Sequence, residues 1–374
     1  MKPGKLISVM GLFFLSTCGR PPEPSSLPST PVLASPTLTE SAPAPSTETP
    51  TSIPTRVFTA TPKNTPTSTP IPVTAGASSL ISLPPNNTAF NNSLYSMAWS
   101  PDSLTLAMGD AQGAIHLWDM AKGKVAHSLW SHTGIVHSMA FSPDGRLMAS
   151  GGSDNIVIIW DLGRLLPQRI LKGHTNSVTK VAWSPDGSKV ISLSYDDTVV
   201  FWDVKTGKKV HTETHDQVMD FDLSPDGKML ALGMFNQIVM VLDAASGEKL
   251  RLLEGHTDRL EMVRWSPDGK SLAGRSMDGA LLLWDTTTWE QTHTLDQPGY
   301  TTYRYFMAWS PDSKIIASSS HKTPINLWDA ATGLKLIPVG SAGTLDLAWS
   351  PDGKILAAKE WNGVLLWPLT QGAP

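Results

Sequence analysis

Cysteine is nearly absent from this chain of 374 residues, which has only one, and charged residues make up just 17% of it. A single cysteine excludes a framework of disulfide bonds and any zinc site built from cysteines. The formal net charge of −4 gives no electrostatic footprint for nucleic acid, so we expect no nucleic-acid partner. The sequence has no apolar run of about eighteen residues, which excludes a permanent transmembrane helix.

The N-terminus has the pattern of an export signal. Lys2 and Lys5 precede an apolar stretch over residues 6–15, which is too short to span a membrane. The sequence Leu-Ser-Thr-Cys at 15–18 resembles the lipobox of bacterial lipoproteins. This resemblance implies removal of residues 1–17, lipidation of Cys18 and a location on the bacterial cell membrane, lipid-anchored and facing outside the cytoplasm. The alternatives are an ordinary cleaved signal or an uncleaved anchor, with Cys18 incidental in both.

Residues 18–77 are mostly Pro, Ser, Thr and Ala. Such a segment has too few large apolar side chains to build a core, and its prolines favour an extended polyproline II conformation. We interpret it as a disordered stalk that separates the signal from a domain over residues 78–368. Residues 369–374 are expected to form a C-terminal tail.

One unit is repeated seven times in the rest of the chain. Ser-Pro-Asp-Gly or Ser-Pro-Asp-Ser begins at intervals of 40 to 44 residues, at Ser100, Ser142, Ser184, Ser224, Ser266, Ser310 and Ser350. A second series, usually Trp-Asp, follows 17 or 18 residues later, at Trp118, Trp160, Trp202, Leu242, Trp284, Trp328 and Trp367. Short β-type runs bounded by turn residues lie between them. Because one such sheet cannot bury both faces and seven arranged radially can, we predict an all-β, seven-bladed β-propeller with four antiparallel strands per blade.

The sequence resembles the WD40 repeat family. Besides the Trp-Asp pairs, the family's Gly-His signature occurs at Gly173-His174 and Gly255-His256. The resemblance implies a hydrogen-bonded tetrad of His, Ser or Thr, Asp and Trp inside a blade. The tetrad maps completely onto two repeats and in part onto a third, as His174, Ser194, Asp196 and Trp202; His256, Ser276, Asp278 and Trp284; and His132, Asp154 and Trp160. Exported propellers of the TolB type also repeat Ser-Pro-Asp-Gly and are the neighbouring family.

The last repeat lacks an outer strand of its own. It stops at Trp367, in its third strand, and only seven residues follow. A short β-type run precedes the first repeat. We therefore predict that residues 79–83 pair beside residues 363–367 and close the ring.

Most residues that could carry catalytic chemistry have a structural explanation. Four histidines are accounted for by the tetrad position, and the Asp of each Ser-Pro-Asp turn repeats in one geometry, unlike a pair of catalytic carboxylates. The sequence contains no HExxH, GxSxG or P-loop motif. We expect a protein that is not an enzyme and has no metal or cofactor.

A candidate binding surface follows from the residue that precedes the tetrad Asp. It is apolar in three consecutive repeats, as Tyr195, Phe235 and Met277. Two further aromatic residues are candidates on the same face, Tyr303 in the connection into the sixth repeat and Trp361 in the second-to-third-strand loop of the seventh. Exposed aromatic and Met side chains are enriched where proteins bind partners. The other interpretation is that these side chains pack against neighbouring loops.

The resulting hypothesis is a monomeric, membrane-anchored propeller that serves as a protein-protein interaction or scaffolding module outside the cytoplasm. Its partner is an unidentified protein or peptide. An exported propeller hydrolase is one alternative, which would be favoured if non-repeating carboxylates converged in the central channel. A TolB-like accessory protein of the cell envelope is the other.

Overall fold

A computed structural model of the chain describes residues 72–81, 94–295, 305–320, 323–340, 343–360 and 363–371. The predicted signal, Cys18, the predicted stalk up to residue 71, Tyr303 and Trp361 lie outside these ranges. The described residues form 29 β-strands in seven sheets. This confirms the predicted all-β propeller of seven blades with four antiparallel strands each.

Six of the blades are four consecutive strands, each hydrogen-bonded to the next. Blades 1 to 3 comprise β3 (Leu94–Trp99), β4 (Thr105–Asp110), β5 (Ala114–Asp119), β6 (Lys124–Trp130); β7 (Val136–Phe141), β8 (Leu147–Gly152), β9 (Ile156–Asp161), β10 (Leu166–Lys172); and β11 (Val178–Trp183), β12 (Lys189–Ser194), β13 (Thr198–Asp203), β14 (Lys209–Thr214). Blades 4 to 6 comprise β15 (Val218–Leu223), β16 (Met229–Met234), β17 (Val239–Asp243), β18 (Lys249–Leu253); β19 (Leu260–Trp265), β20 (Ser271–Ser276), β21 (Leu281–Asp285), β22 (Gln291–Leu295); and β23 (Tyr305–Trp309), β24 (Ile315–Ser320), β25 (Thr323–Asp329), β26 (Lys335–Val339).

Blade 7 combines the two ends of the domain. It comprises β27 (Asp346–Trp349), β28 (Ile355–Glu360) and β29 (Gly363–Gln371), completed by β1 (Val73–Ala75) and β2 (Ser79–Ile81). Strand β2 pairs antiparallel with β29, with Leu80 opposite Leu365, which confirms the predicted closure over its described residues. Strand β1 also pairs with β29, so the sheet starts inside the predicted stalk and ends inside the predicted tail.

The first strands of the blades surround the central axis. Each contacts the first strand of both neighbouring blades, and β27 contacts β3 to complete the circle. The apolar core of the described residues consists of seven clusters, one between each pair of neighbouring blades. Stability therefore depends on contacts between blades, as expected for sheets that cannot bury both faces alone.

Tryptophans at the ends of first strands also connect the blades by hydrogen bonds. The indole Nε1 of Trp183 donates to the carbonyl oxygen of Ala140 in the preceding blade, at 2.9 Å. Trp99 donates in the same way to Ala348, from blade 1 to blade 7. The repeated Trp of the sequence thus supplies both buried area and a directional link.

The two faces of the ring carry different connections. One face, here called the turn face, carries the Ser-Pro-Asp turns, in which the serine hydroxyl and aspartate carboxylate hydrogen-bond, as in Ser184 and Asp186 at 2.6 Å. The opposite face, here called the loop face, carries the connections between second and third strands and those into each first strand. The described chain begins on the turn face, because Gly76 donates to Pro368 and Leu369 donates to Lys354 beside the last Ser-Pro-Asp turn.

Candidate functional site

The complete tetrad of blade 3 is a buried chain of hydrogen bonds. Trp202 Nε1 donates to Ser192 Oγ at 2.7 Å, and the same oxygen lies 2.7 Å from His174 Nε2. The other ring nitrogen, Nδ1, lies 3.0 Å from Asp196 Oδ2. Blade 2 repeats this geometry with Trp160, Ser150, His132 and Asp154. The chain connects the third strand to the loop that precedes the blade, which is a structural role.

The bridging serine differs from the predicted one. The hydroxyl between histidine and tryptophan belongs to Ser192, whereas the predicted Ser194 donates to the carbonyl oxygen of Asn176 at 2.9 Å and accepts from the Asp196 N–H. The physical reason is the strand register, because Trp202 lies opposite Val190. The Trp202 indole reaches Ser192, which is two residues or about 7 Å along the strand from Val190, but not Ser194, which is twice as far.

Blade 5 retains the histidine and aspartate but has no bridging hydroxyl. Gly274 stands at the position of Ser192, and His256 Nε2 lies 3.2 Å from the Gly274 carbonyl oxygen. The predicted Ser276 donates to the carbonyl oxygen of Asp258 at 2.8 Å. His256 Nδ1 lies 3.2 Å from Asp278 Oδ2, as predicted, but the serine assignment is wrong here for the same reason.

The tetrad carboxylates are ionised over a wide pH range. Burial raises the pKa of Asp196, but hydrogen bonds from Thr198 and the Thr175 N–H, together with His174, outweigh burial and lower it to about 2. Burial lowers the pKa of His174 despite the carboxylate. A neutral imidazole fixed between a carboxylate and a buried hydroxyl has no access to a substrate, so these groups serve stability.

The predicted binding residues are held in the same way in three consecutive blades on the loop face. Each backbone N–H donates to a carbonyl oxygen in the connection into the same blade, at 3.0 Å: Tyr195 to Ser177, Phe235 to Gln217 and Met277 to Arg259. The Tyr195 side chain is 57% exposed and that of Phe235 is 43% exposed, whereas Met277 is half-buried. Because Tyr195 and Phe235 are exposed, the alternative that they are buried against neighbouring loops does not hold for these two residues.

A cation lies beside this surface. The Arg259 guanidinium lies 5.6 Å from the centre of the Phe235 ring, and its Nε is 3.3 Å from Glu261 Oε1. The ion pair orients the guanidinium over the ring face, where a cation is attracted. Tyr303 and Trp361 lie outside the described residues, so their part in the surface stays a prediction.

Non-repeating charges line the inner strands of blades 3 to 5. Asp220 lies 2.9 Å from Lys180 Nζ and also pairs with Arg264, and these two cations outweigh burial and lower its pKa. Asp222 accepts from the Trp265 N–H at 2.8 Å, while burial raises its pKa. The carboxylates that the hydrolase alternative requires are thus present, but both are bound to the following blade and tie blades 3 to 5 together.

A second set of Ser, His and Asp lies in blade 1, where the sequence analysis identified none. His116 Nδ1 is 2.9 Å from Ser128 Oγ, and His116 Nε2 is 3.3 Å from Asp110 Oδ2. The three residues come from three adjacent strands, so no motif spacing reveals them. The detectable signal is that His116 interrupts a third-strand position filled by aliphatic residues in blades 2 and 3, Ile158 and Val200.

Within the described ranges, no three His, Cys, Asp or Glu side chains are grouped closely enough to hold a metal ion. Nor does this part of the chain contain a helix with the length and apolar character of a membrane span.

Two family models match the chain. Residues 93–249 match the first β-propeller of IFT122, and residues 247–285 match the WD domain, G-beta repeat. Similar curated proteins include Protein HIR1 of Cryptococcus neoformans, 33% identical over 85 residues, and echinoderm microtubule-associated protein-like 2 of Homo sapiens, 29% identical over 91 residues. An intraflagellar transport protein 122 homolog of Danio rerio is 35% identical over 78 residues.

These similarities cover limited parts of each protein. They include 23%, 23% and 20% of this chain and only 10%, 14% and 6% of the three relatives, in the order given. The segments matched by the two family models, residues 93–249 and 247–285, lie in the propeller. Together with the seven blades and the complete tetrads of blades 2 and 3, the matches support a WD40-type propeller.

Proposed function

We propose that this WD40 propeller is a recognition module that binds a protein or peptide through its loop face while a lipid anchor at Cys18 holds it outside the cytoplasm. The partner contacts are Tyr195, Phe235 and Met277, with Tyr303 and Trp361 extending the surface. The proposal rests on WD40-type repeats, on the geometry of the loop face and on the export pattern of the N-terminus.

The observation that carries the binding role is the exposure of two aromatic rings at equivalent positions of neighbouring blades. Tyr195 and Phe235 lie on turns that are each held by an equivalent backbone hydrogen bond, so both exposed rings are attached to ordered backbone. Aromatic side chains on rigid turns lose little conformational entropy on binding and supply large contact areas. The Arg259 cation beside Phe235 adds a donor to an otherwise apolar surface.

The direction of the chain supports the anchoring role. Strand β1 and Gly76 lie on the turn face, so the segment that leads back to Cys18 starts opposite the candidate surface. A tether attached on that side leaves the loop face accessible from the outside. The arrangement suits presentation of a binding surface away from the membrane.

The binding role is tested with the triple variant Tyr195→Ser, Phe235→Ser, Met277→Ser, purified by affinity from native membranes beside the wild type. We expect the co-purifying partner to fall at least tenfold while the thermal unfolding midpoint is unchanged. The matched control is Leu104→Ser, which removes a side chain 58% exposed on the turn face and is expected to keep the partner. Equal recovery from the triple variant and the control would reject the surface.

The anchor is tested separately with Cys18→Ala. We expect the protein to move from the membrane fraction to the soluble fraction, because the acyl chains that hold it are lost. Membrane association that persists in this variant would contradict lipidation at Cys18 and leave the loop-face test unaffected.

A further inference from the structure

The hydroxyl of Ser128 in blade 1 stands at the end of a hydrogen-bonded relay that opens to solvent. Asp110 is 4% exposed, and its Oδ1 accepts the backbone N–H groups of Gln112 at 2.9 Å and Ala114 at 2.8 Å. Its Oδ2 faces His116 Nε2 at 3.3 Å. In the neutral tautomer with the proton on Nε2, which a carboxylate acceptor favours, Nδ1 accepts from the Ser128 hydroxyl at 2.9 Å.

The arrangement has the three parts of an activated nucleophile. A hydroxyl lies within hydrogen-bond reach of a base, and a fixed carboxylate orients the base and can stabilise its charged form. Ser128 is exposed and His116 is only partly covered, with 16% of its side chain accessible. The tetrad of blade 3 contains the same groups but ends in the buried indole of Trp202.

Strand β6 lies at the edge of its blade. Among the described strands it pairs only with β5. Backbone N–H groups on an open edge alternate between paired and unpaired, so one points outward at Ser128 itself or at its neighbours. An outward N–H next to the nucleophile can donate to the oxygen of a tetrahedral intermediate.

A hydrophobic platform lies beside the hydroxyl. Trp130 is 65% exposed, and its ring is edge-on to the His116 ring at 6.4 Å. The equivalent positions of blades 2 and 4 are Lys172 and Glu254, which suit solvent. An exposed indole at this position provides a flat surface for an aromatic group.

We propose that Ser128, His116 and Asp110 form a second, hydrolytic site that cleaves small carboxylic esters of aromatic alcohols. Ser128 Oγ attacks the ester carbonyl carbon while its proton passes to His116 Nδ1. The carbon–oxygen bond to the aromatic alcohol breaks, and the leaving oxygen takes the proton from His116. Water then attacks the acyl-serine, gives a proton to His116 and releases the carboxylic acid, after which the proton returns to Ser128. This activity goes beyond the proposed binding function and does not depend on it.

The test uses the purified full chain with two probes, p-nitrophenyl acetate for turnover and a fluorophosphonate for covalent labelling of the serine. We expect one adduct, located on Ser128 by peptide mass spectrometry. Ser128→Ala and His116→Gln are each expected to reduce labelling and ester turnover at least a hundredfold. Asp110→Asn keeps an acceptor for the backbone N–H groups, and we expect it to lower kcat at least tenfold with little change in KM.

The matched control is Thr212→Ala. Thr212 is an exposed outer-strand hydroxyl opposite Val200, just as Ser128 lies opposite His116, but no base among the described residues hydrogen-bonds to it. Its removal is expected to change neither probe. Absence of an adduct on Ser128 in wild-type protein, or turnover that survives in Ser128→Ala, overturns the proposal. Thermal unfolding of each variant shows whether a loss of activity reflects a loss of fold.

Discussion

Blades 1 and 3 contain the same three chemical groups in opposite settings. In blade 3, Asp196, His174 and Ser192 form a chain that ends in the buried Trp202 indole. In blade 1 the corresponding chain ends in a hydroxyl at the surface. The comparison teaches that Ser, His and Asp in contact do not by themselves define a function, because the last member of the chain decides whether the group stabilises the sheet or faces a ligand.

The largest difference between the two blades is expected for the histidines. His174→Ala leaves the Asp196 carboxylate and the Ser192 hydroxyl without their partner in a buried place, so we expect a loss of about 3 kcal/mol of unfolding free energy. His116→Ala likewise removes a partner of the buried Asp110, which keeps its two backbone N–H donors, but the other partner, the Ser128 hydroxyl, is exposed, so we expect a smaller loss of about 1 kcal/mol. Urea denaturation of both variants measures this difference, and equal losses would remove the distinction.

A smaller difference in stability between the two blades is expected for the serines. Ser192→Ala removes the acceptor of the Trp202 N–H and the partner of His174 inside the blade, which we expect to cost about 2 kcal/mol. Ser128→Ala leaves no buried polar group without a partner, so its unfolding free energy is expected to stay within about 0.5 kcal/mol of the wild type. Thermal unfolding of the pair is sufficient, and a large loss from Ser128→Ala would assign that residue a structural role.

Blade 5 tests whether the family pattern can be restored. A Cβ atom at Gly274 would lie 2.8 Å from the Trp284 ring and 3.1 Å from His256 Nε2. We therefore expect Gly274→Ser to destabilise the protein by about 1 kcal/mol, although serine is the residue of blades 2 and 3, because buried rings must shift. A stabilised variant, measured by denaturation, would show that the blade adapts easily.

The smallest expected effect is the change in stability at low pH. The pKa of Asp196 is lowered to about 2 from 3.8, so its ionised form stabilises the folded state above about pH 4, and this contribution is lost as the pH falls towards 2. Asp196→Asn is expected to be less stable at neutral pH and to depend less on pH between 4 and 2. Denaturation at several pH values measures the slope, and parallel curves for the two proteins would be the contrary result.

The fold follows from the sequence because its two repeated series fix the number of strands and the blade length. The closure by residues 79–81 could be predicted because too few residues follow Trp367 for the last repeat to form an outer strand of its own. The error at Ser194 has a simple origin. Residues 192 and 194 share one face of a strand, so periodicity does not distinguish them, and only the reach of the indole selects Ser192.

The relay of blade 1 was not predictable from motif spacing. His116 and Ser128 meet because they lie directly opposite each other on neighbouring strands, a relation fixed by the register of β5 and β6. Asp220 and Arg264 likewise meet only after blades 4 and 5 are placed side by side. Contacts of this kind depend on three-dimensional pairing, which a single sequence does not record.

The proposed role of the propeller depends on its loop face binding a partner. Site-specific photocrosslinking in the native membrane tests it most directly, with a benzophenone amino acid placed at Tyr195 on the loop face or at Leu104 on the turn face. We expect a discrete crosslinked partner from position 195 and none from position 104. A crosslink from position 104 alone, or the same products from both positions, would contradict the assignment of the binding face.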